Sequence, residues 1–232
     1  MNPFALNPSM RAYVDWIGEK EVPLFRIDDI YIDPDAVRDF AFQMEFPNSQ
    51  AYYPGRHQPL SEDIEGIPEF LAHIGALFGQ AVNQTVPPGG IGTDFSIVTT
   101  PEYKLLGQQG QPHIDGVPML GVIYLNDADF GGTIFFRNKE TGSVKVLTPQ
   151  EKEHYDRVTS GQQNGERQNT YITDSDSDWE AIHTTDGTKN CLVMWPGTVW
   201  HSINVKIPPE TGEISDKRLT QRVIINKVAP NR

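Results

Sequence analysis

The spacing of hydrophobic residues divides the chain into an N-terminal helical part and a longer β-rich part. The first part predicts a β-strand within 22–32, followed by two helices whose apolar positions recur at helical spacing. Asp33 is a good helix N-cap and Pro47 a helix stop, so the first helix should lie between them. The second helix should span about 68–82. Residues 1–20 predict a loosely ordered lead-in.

After residue 90 the hydrophobic residues occur in short runs separated by turn residues, and several runs are too apolar for a sheet with one exposed face. Seven runs are candidate strands: 93–100, 111–115, 117–126, 131–137, 190–196, 198–207 and 219–228. Many short strands after two helices favour a mainly β sandwich or squashed barrel, with the helices packed outside.

A polar segment at 138–189 interrupts this β pattern. It contains one predicted helix, because Thr148 and Glu151 form a capping box with a proline between them at the first helical position. A polar insertion of this length in a β domain is typical of a surface elaboration or lid. We therefore expect one domain over 1–232, with the insertion at the rim of the barrel.

Composition excludes several classes of partner. The 232 residues carry a formal net charge of -12, which disfavours binding to nucleic acid or to anionic lipid. No signal peptide or membrane-length apolar run is visible. The single cysteine, Cys191, excludes an intramolecular disulfide framework and a cysteine-rich zinc site. These features predict a cytoplasmic protein without a nucleic-acid or membrane partner.

Candidate metal ligands occur at the start of one predicted strand. His113 and Asp115 are two residues apart, so in a strand their side chains lie on the same face and could bind one metal ion. With His201 they would form a two-histidine, one-carboxylate face, which is typical of non-haem Fe(II) oxygenases. A surface histidine near a turn, and a core histidine at His201, are the structural alternatives. A second His-x-Asp, at 154–156, falls in the predicted helix, where such spacing does not share a face.

The order of motifs adds to this spacing. A His-x-Asp is followed by Tyr-Leu-Asn at the end of a strand, a Gly-Gly before another strand, a distal histidine and a basic residue before a late strand. This order resembles the Fe(II)/2-oxoglutarate-dependent dioxygenases, in their prolyl-hydroxylase-like branch. The matching residues are His113, Asp115, Tyr124, Leu125, Asn126, Gly131, Gly132, His201 and Arg218. The resemblance covers about half of the chain and implies a double-stranded β-helix, or jelly roll, with packed N-terminal helices.

The resemblance also implies roles for individual residues. The two histidines and Asp115 would hold Fe(II), and 2-oxoglutarate would chelate the iron. Arg218 would bind the far carboxylate of 2-oxoglutarate, since a guanidinium can donate two parallel hydrogen bonds to a carboxylate. Thr220 would add a hydroxyl, and Tyr124 matches a position that often contacts the co-substrate. Arg222 shares strand parity with Arg218 and is the rival anchor, while a packed sheet tyrosine is the alternative for Tyr124.

The implied activity is the hydroxylation of a C–H bond in a small molecule or peptide. Asp115 favours hydroxylation over halogenation, because halogenating relatives lack this carboxylate. The 88 residues between His113 and His201 exceed the usual separation, and the polar insertion accounts for the excess. A non-catalytic ligand-binding jelly roll, or a cupin-like metalloprotein that does not use 2-oxoglutarate, is the competing interpretation. The oligomeric state is left open by the sequence.

Overall fold

Antiparallel β-strands and three helices form the structure, a computed structural model that describes residues 2–47, 53–127, 129–164, 169–206, 209 and 212–231. The strands are β1 Arg11–Ile17, β2 Val22–Asp28, β3 Gly55–Pro59, β4 Gln84–Thr85, β5 Ile91–Val98, β6 Met119–Tyr124, β7 Thr133–Asn138, β8 Trp179–Thr184, β9 Leu192–Pro196, β10 His201–Ile203, β11 Leu219–Ile225 and β12 Ala229–Pro230. The helices are α1 Pro34–Phe42, α2 Ile67–Val82 and α3 Pro149–Gln163. Two short 3-10 turns lie at Glu102–Lys104 and Ile214–Asp216.

Seven strands form a large antiparallel sheet in the order β1-β2-β9-β6-β11-β5-β3. A smaller sheet has the order β10-β7-β8, and a backbone bridge between His113 and His201 extends it. Apolar side chains from both sheets form one cluster between them, which includes Val122 and Val193 from the large sheet and Phe135 from the small sheet. Two facing antiparallel sheets around a common core make the protein a mainly β jelly roll.

Two helices cover the outer face of the large sheet, as the sequence predicts. Apolar residues of α1 and α2, such as Val37 and Phe70, belong to one buried cluster with Phe95 and Val223 of the sheet. The Asp33 side chain accepts a hydrogen bond from the Ala36 backbone N–H, which confirms the predicted N-cap. The helix α1 ends at Phe42, well before Pro47, because the following chain turns inward and buries Phe46 in the core.

A polar network fixes the helix-facing side of β11. The Tyr31 hydroxyl donates to Gln221 Oε1 at 2.7 Å, and Gln221 Nε2 donates to Thr93 Oγ1 at 3.1 Å. The Thr93 hydroxyl in turn donates to the backbone carbonyl of Arg222 at 2.6 Å. Tyr31 and Gln221 are buried, so each needs the other as a hydrogen-bond partner. This arrangement ties the loop before α1 to the strand that carries the candidate anchors.

The third helix packs on the outer face of the small sheet. Its predicted capping box is present, with Thr148 and Glu151 bonded to each other's backbone N–H groups. The Tyr155 ring lies 5.5 Å from the Trp200 ring, in an apolar cluster that also contains Val158 and Phe136. A hydrophobic contact therefore attaches this otherwise polar helix to the jelly roll.

The structure differs from the sequence-based expectations at several strands. The predicted lead-in contains β1, which pairs with β2 over its full length because the two strands form a hairpin. The run 111–115 forms a single β-bridge and does not form a strand. The run 198–207 is a strand only over 201–203. The polar segment contains β8, which pairs with β7 and buries Trp179. The insertion proper is therefore shorter than predicted, and its role as a lid stays a prediction. In the described part of the chain, no helix is long and apolar enough to span a membrane.

Candidate functional site

His113 and His201 are held together by their own backbones. The His113 N–H donates to the His201 carbonyl at 2.9 Å, and the His201 N–H donates to the His113 carbonyl at 3.0 Å. Residues that exchange both hydrogen bonds in an antiparallel pair present their side chains on the same face. The two imidazole rings accordingly lie with their centres 4.6 Å apart.

Asp115 is placed by the turn that precedes β10. Its backbone N–H donates to the Gly197 carbonyl at 2.8 Å. A side chain at Gly197 would put its Cβ 2.3 Å from the Val117 carbonyl oxygen and 2.9 Å from that of Asp115. Only glycine allows these two segments to approach so closely, and their contact brings the carboxylate to the two imidazoles.

Backbone carbonyls fix the orientation of both imidazoles. His113 Nδ1 donates to the Gln111 carbonyl at 2.9 Å, and His201 Nδ1 donates to the Val199 carbonyl at 2.9 Å. A carbonyl oxygen can only accept, so Nδ1 carries a proton in each ring, and Nε2 is the nitrogen that has the lone pair in a neutral imidazole. This arrangement is typical of histidines that bind a metal through Nε2.

The three candidate ligands fit a divalent metal ion. One ligand atom from each of His113, Asp115 and His201 lies within 4.8 Å of the others. Asp115 Oδ2 is buried and lies 3.1 Å from His201 Nε2, yet it has no hydrogen bond of normal geometry among the described residues. Burial alone would raise the pKa of Asp115, but the neighbouring histidines and Arg222 outweigh it and hold the pKa well below its usual range. A metal ion between these atoms would satisfy the ionised carboxylate.

The triad opens into a cavity with a volume of about 510 Å³. Leu120, Val122 and Trp195 from the large sheet form an apolar wall, and Tyr155 and Thr159 of α3 also line the cavity. Arg218, Thr220 and Arg222 line the same cavity, as their shared strand parity predicts. The structure therefore brings six of the seven predicted site residues together in one cavity.

Arg218 is a buried cation with no carboxylate partner in the described part of the chain. Its side chain is 5% exposed, and it donates to the Gly131 carbonyl at 3.2 Å and the Gly132 carbonyl at 3.0 Å. Carbonyl oxygens compensate only part of a buried positive charge. The Tyr124 ring lies 5.7 Å from the guanidinium carbon and contributes a cation–π contact. An anionic ligand group would complete the neutralisation of Arg218.

The motif residues around Arg218 hold it in position. The Asn126 side chain donates to the Lys217 carbonyl at 2.9 Å and accepts from the Leu219 N–H at 2.6 Å, so it holds the residues on both sides of Arg218. A Cβ on Gly131 would lie 1.8 Å from the Asn204 carbonyl oxygen, and one on Gly132 would lie 2.2 Å from that of Thr185. The Tyr-Leu-Asn and Gly-Gly motifs are thus structural supports of this arginine.

The rival anchor Arg222 already has a carboxylate partner. Its Nε donates to Asp94 Oδ1 at 2.8 Å, and its Nη2 donates to Asp94 Oδ2. Burial would lower the pKa of Arg222, but Asp94 outweighs it and raises the pKa. The Ser96 hydroxyl donates to Asp94 at 3.1 Å and accepts from His57 Nδ1 at 2.7 Å. This network makes Arg222 part of a charge-balanced cavity wall.

Tyr124 differs from the other predicted site residues. Its hydroxyl lies 3.0 Å from Thr133 Oγ1 and 2.7 Å from Thr185 Oγ1, and it does not belong to the described residues that line the cavity. Burial raises the pKa of Tyr124, so the hydroxyl stays protonated. The structure therefore favours the packed sheet tyrosine over a direct contact with a co-substrate.

Sequence reasoning missed two residues of the cavity region, His57 and Asp94. Tyr53 and His57 line the cavity from the edge at β3, and the Tyr53 hydroxyl is buried without a hydrogen-bond partner in the described residues. The one available signal was an acidic residue within the apolar run 93–100, because a buried carboxylate needs a partner.

The fold and this cavity define a class of protein: a jelly roll with a candidate two-histidine, one-carboxylate metal centre. The chain belongs to a family of unknown function, DUF6445, whose family profile matches residues 8–226. No protein of curated function matches the chain. Among solved structures, it is similar to a prolyl-4-hydroxylase from Pseudomonas putida, with 15% identity and a TM-score of 0.46 over 90% of this chain and 93% of that one.

Proposed function

We propose that this protein is an Fe(II)- and 2-oxoglutarate-dependent dioxygenase that hydroxylates a C–H bond of a small molecule or peptide. One observation carries the proposal. The three candidate metal ligands share a cavity with Arg218, a buried guanidinium that has no carboxylate partner in the described residues. A dicarboxylate that chelates a metal through one end needs both the metal ion and a buried cation that binds its other carboxylate.

Within this proposal, His113, Asp115 and His201 hold the iron and leave the remaining coordination positions open. Arg218 binds the far carboxylate of 2-oxoglutarate, and Thr220 on the same face of β11 supplies a hydroxyl to it. Arg222 is assigned to the cavity wall, since Asp94 neutralises it. When bound, the iron and co-substrate supply the oxidation of an unactivated C–H bond by O2.

The residues of this chain orient the reactants and exclude water. The apolar wall at Leu120, Val122 and Trp195 keeps bulk water away from the metal face. The primary substrate enters from the side where Tyr155 and Thr159 of α3 line the cavity. We assign the lid function of the polar segment to α3, whose Tyr155 and Val158 pack against the apolar cluster of the small sheet.

An anaerobic titration tests the proposal. Metal-free protein is titrated with Fe(II) and then with 2-oxoglutarate, while the weak visible metal-to-ligand charge-transfer band is recorded. We expect the wild-type protein to give this band and Asp115→Ala to abolish it. Arg218→Ala should need at least about tenfold more 2-oxoglutarate to give the band, because a charged hydrogen bond to the co-substrate is lost. Air, ascorbate and 2-oxoglutarate should then yield succinate.

Two variants serve as matched controls. Asp156 belongs to the other His-x-Asp and pairs with Lys152 on the surface of α3, so Asp156→Ala should leave the band unchanged. Arg137 pairs with Glu21 and Glu180 outside the cavity, so Arg137→Ala should leave the 2-oxoglutarate requirement unchanged. No band in iron-loaded wild-type protein would overturn the proposal. Bound iron that does not respond to 2-oxoglutarate would indicate the cupin-like alternative.

A further inference from the structure

The edge strand β1 is the most exposed strand of the large sheet. Six of its seven residues are exposed, and in the described part of the chain only β2 pairs with it. Its exposed side chains include three large apolar ones, Tyr13, Val14 and Trp16, which are 44%, 47% and 41% exposed. An edge strand of this kind offers unpaired backbone groups next to apolar surface.

The strand lacks the features that normally protect a sheet edge. It contains no proline and no lysine, and its aromatic and β-branched residues favour extended pairing. Its charged residues are Arg11 and Asp15, which have opposite signs and share one face. A second strand can therefore pair with β1 without charge repulsion if it places an acidic residue opposite Arg11 and a basic residue opposite Asp15.

The sequence of β1 is complementary to itself. If two copies of β1 pair antiparallel about a two-fold axis, residues opposite each other lie on the same face of the sheet. One residue of the strand must then lie opposite its own copy, and the axis passes between the two. When that residue is Tyr13, Arg11 lies opposite the partner subunit's Asp15, and Asp15 opposite the partner subunit's Arg11. Arg11 is available for this pairing, since its side chain is 72% exposed and its contacts with Asp28 and Asp29 are as long as 3.7 Å. Asp15 makes no ion pair with the residues that the structure describes.

An apolar groove adjoins the outer face of β1. It has a volume of about 190 Å³, and its lining includes Ala12 and Val14 of the strand and Phe25, Leu77 and Phe78 beside it. In the same register, the partner subunit's Trp16 lies diagonally across from Ala12, at the groove. The exposed indole of one copy thus meets the apolar groove of the other.

We propose that β1 pairs antiparallel with β1 of a second copy of this chain, about a two-fold axis at Tyr13. The pairing joins the two seven-stranded sheets into one continuous sheet. It places two Arg11–Asp15 pairs and two Trp16 side chains in the interface. This inference does not depend on the proposed enzymatic activity, because β1 lies outside the residues that line the metal cavity.

Light scattering after size-exclusion chromatography, over a concentration series, tests the pairing. The wild-type chain should give twice its mass of 26.0 kDa at high concentration. Val14→Lys should shift it to monomer, because it places an unpaired charge in the apolar part of the interface. Leu147→Lys, which changes an exposed apolar residue elsewhere, should leave the dimer intact. A wild-type monomer at every concentration would overturn the proposal.

Charge reversal distinguishes this register from any other interface. Arg11→Asp and Asp15→Arg should each weaken the dimer about tenfold, since like charges then face each other twice. The double variant restores opposite charges and should recover most of the wild-type affinity. Because the single variants change exposed residues, their thermal unfolding should stay close to that of the wild type. A dimer that is equally stable in all four proteins would show that β1 is not the interface.

Discussion

Arg222 donates hydrogen bonds to both carboxylate oxygens of Asp94, across the adjacent strands β11 and β5. The other arginine of the cavity, Arg218, is bonded to backbone carbonyls instead. Two guanidiniums four residues apart in the chain, one in β11 and one just before it, are therefore in different electrostatic states. The first is paired with a carboxylate, and the second has no carboxylate partner among the described residues.

Asp94→Asn should destabilise the fold and change the anion affinity of the cavity. It removes the charge partner of Arg222, whose side chain is 24% exposed, so we expect a loss of about 1–3 kcal/mol in the free energy of unfolding. The freed guanidinium should also strengthen the binding of small anions such as succinate. Urea denaturation and succinate titration measure the two effects. Asp63→Asn, on an exposed loop, is the control. Unchanged stability in Asp94→Asn would contradict the pairing described above.

Gly197→Ala should weaken metal binding without removing a ligand. The added Cβ collides with the backbone of the Asp115 loop, so the carboxylate moves away from the two imidazoles. We expect at least about tenfold weaker affinity, the usual size of effects on residues that orient metal ligands. Calorimetric titration with Mn(II), an air-stable substitute for Fe(II), measures it.

A neighbouring glycine gives the matched control for this experiment. A Cβ on Gly116 meets no atom within 4 Å, so Gly116→Ala should bind Mn(II) like the wild type. Thermal unfolding of the metal-free variants shows whether each has folded. If folded Gly197→Ala binds Mn(II) as tightly as the wild type, the turn does not position Asp115.

Local features of this structure were predictable from the sequence, and cross-strand features were not. The caps at Asp33 and Thr148 depend on contacts within four residues, so the sequence predicts them directly. The pairing of Arg222 with Asp94 depends on the register of β11 against β5, over 128 residues of separation. No spacing rule within a single sequence reveals such a register.

The strands β1 and β8 were missed for related reasons. The strand β1 is exposed on both faces, so it lacks the alternation of apolar and polar residues that identifies a half-buried strand. The strand β8 lies in a polar segment, and within it only Trp179 is fully buried. Both strands depend on a partner, β2 and β7, for their conformation. The candidate metal ligands were found because their spacing and the order of the motifs are visible in the sequence.

Asn126→Ala should affect both stability and the Arg218 anchor. The substitution leaves the buried Leu219 N–H without an acceptor, which should cost about 1–3 kcal/mol in the free energy of unfolding. It also removes the Asn126 donor to the Lys217 carbonyl, so the segment that carries Arg218 loses a restraint on each side. The requirement for 2-oxoglutarate should rise while Mn(II) affinity stays unchanged. A variant that lost stability alone would restrict Asn126 to a structural role.

Glu151 should make the stability of α3 dependent on pH in the acidic range. Hydrogen bonds from the Leu147 and Thr148 backbone N–H groups lower the pKa of Glu151 from 4.5 to about 2. A lowered folded pKa contributes stability above the ordinary pKa, and this contribution is lost as the pH falls from 4.5 through about 2. Wild-type protein should therefore exceed Glu151→Gln in thermal stability near neutral pH, and the difference should vanish near pH 2.

A separate variant tests the other half of the capping box. Thr148→Ala removes the acceptor for the Glu151 backbone N–H, with an expected cost of about 1 kcal/mol. This cost should persist at low pH, since the hydroxyl does not titrate. Circular dichroism of the two variants at both pH values separates the contributions. Equal pH dependence in Glu151→Gln and the wild type would rule out the carboxylate effect.

The network of Tyr31, Gln221 and Thr93 has a consequence for how the cavity can adapt to ligands. It anchors β11 from the side opposite the cavity, through buried groups that are hydrogen-bonded to one another. The strand that carries Thr220 and Arg222 is thereby a fixed reference surface. A change in the shape of the cavity between ligands of different size would then come from α3, whose residues Tyr155 and Thr159 also line the cavity. The β11 side of the cavity then fixes where a ligand is held, and the α3 side determines how large that ligand can be.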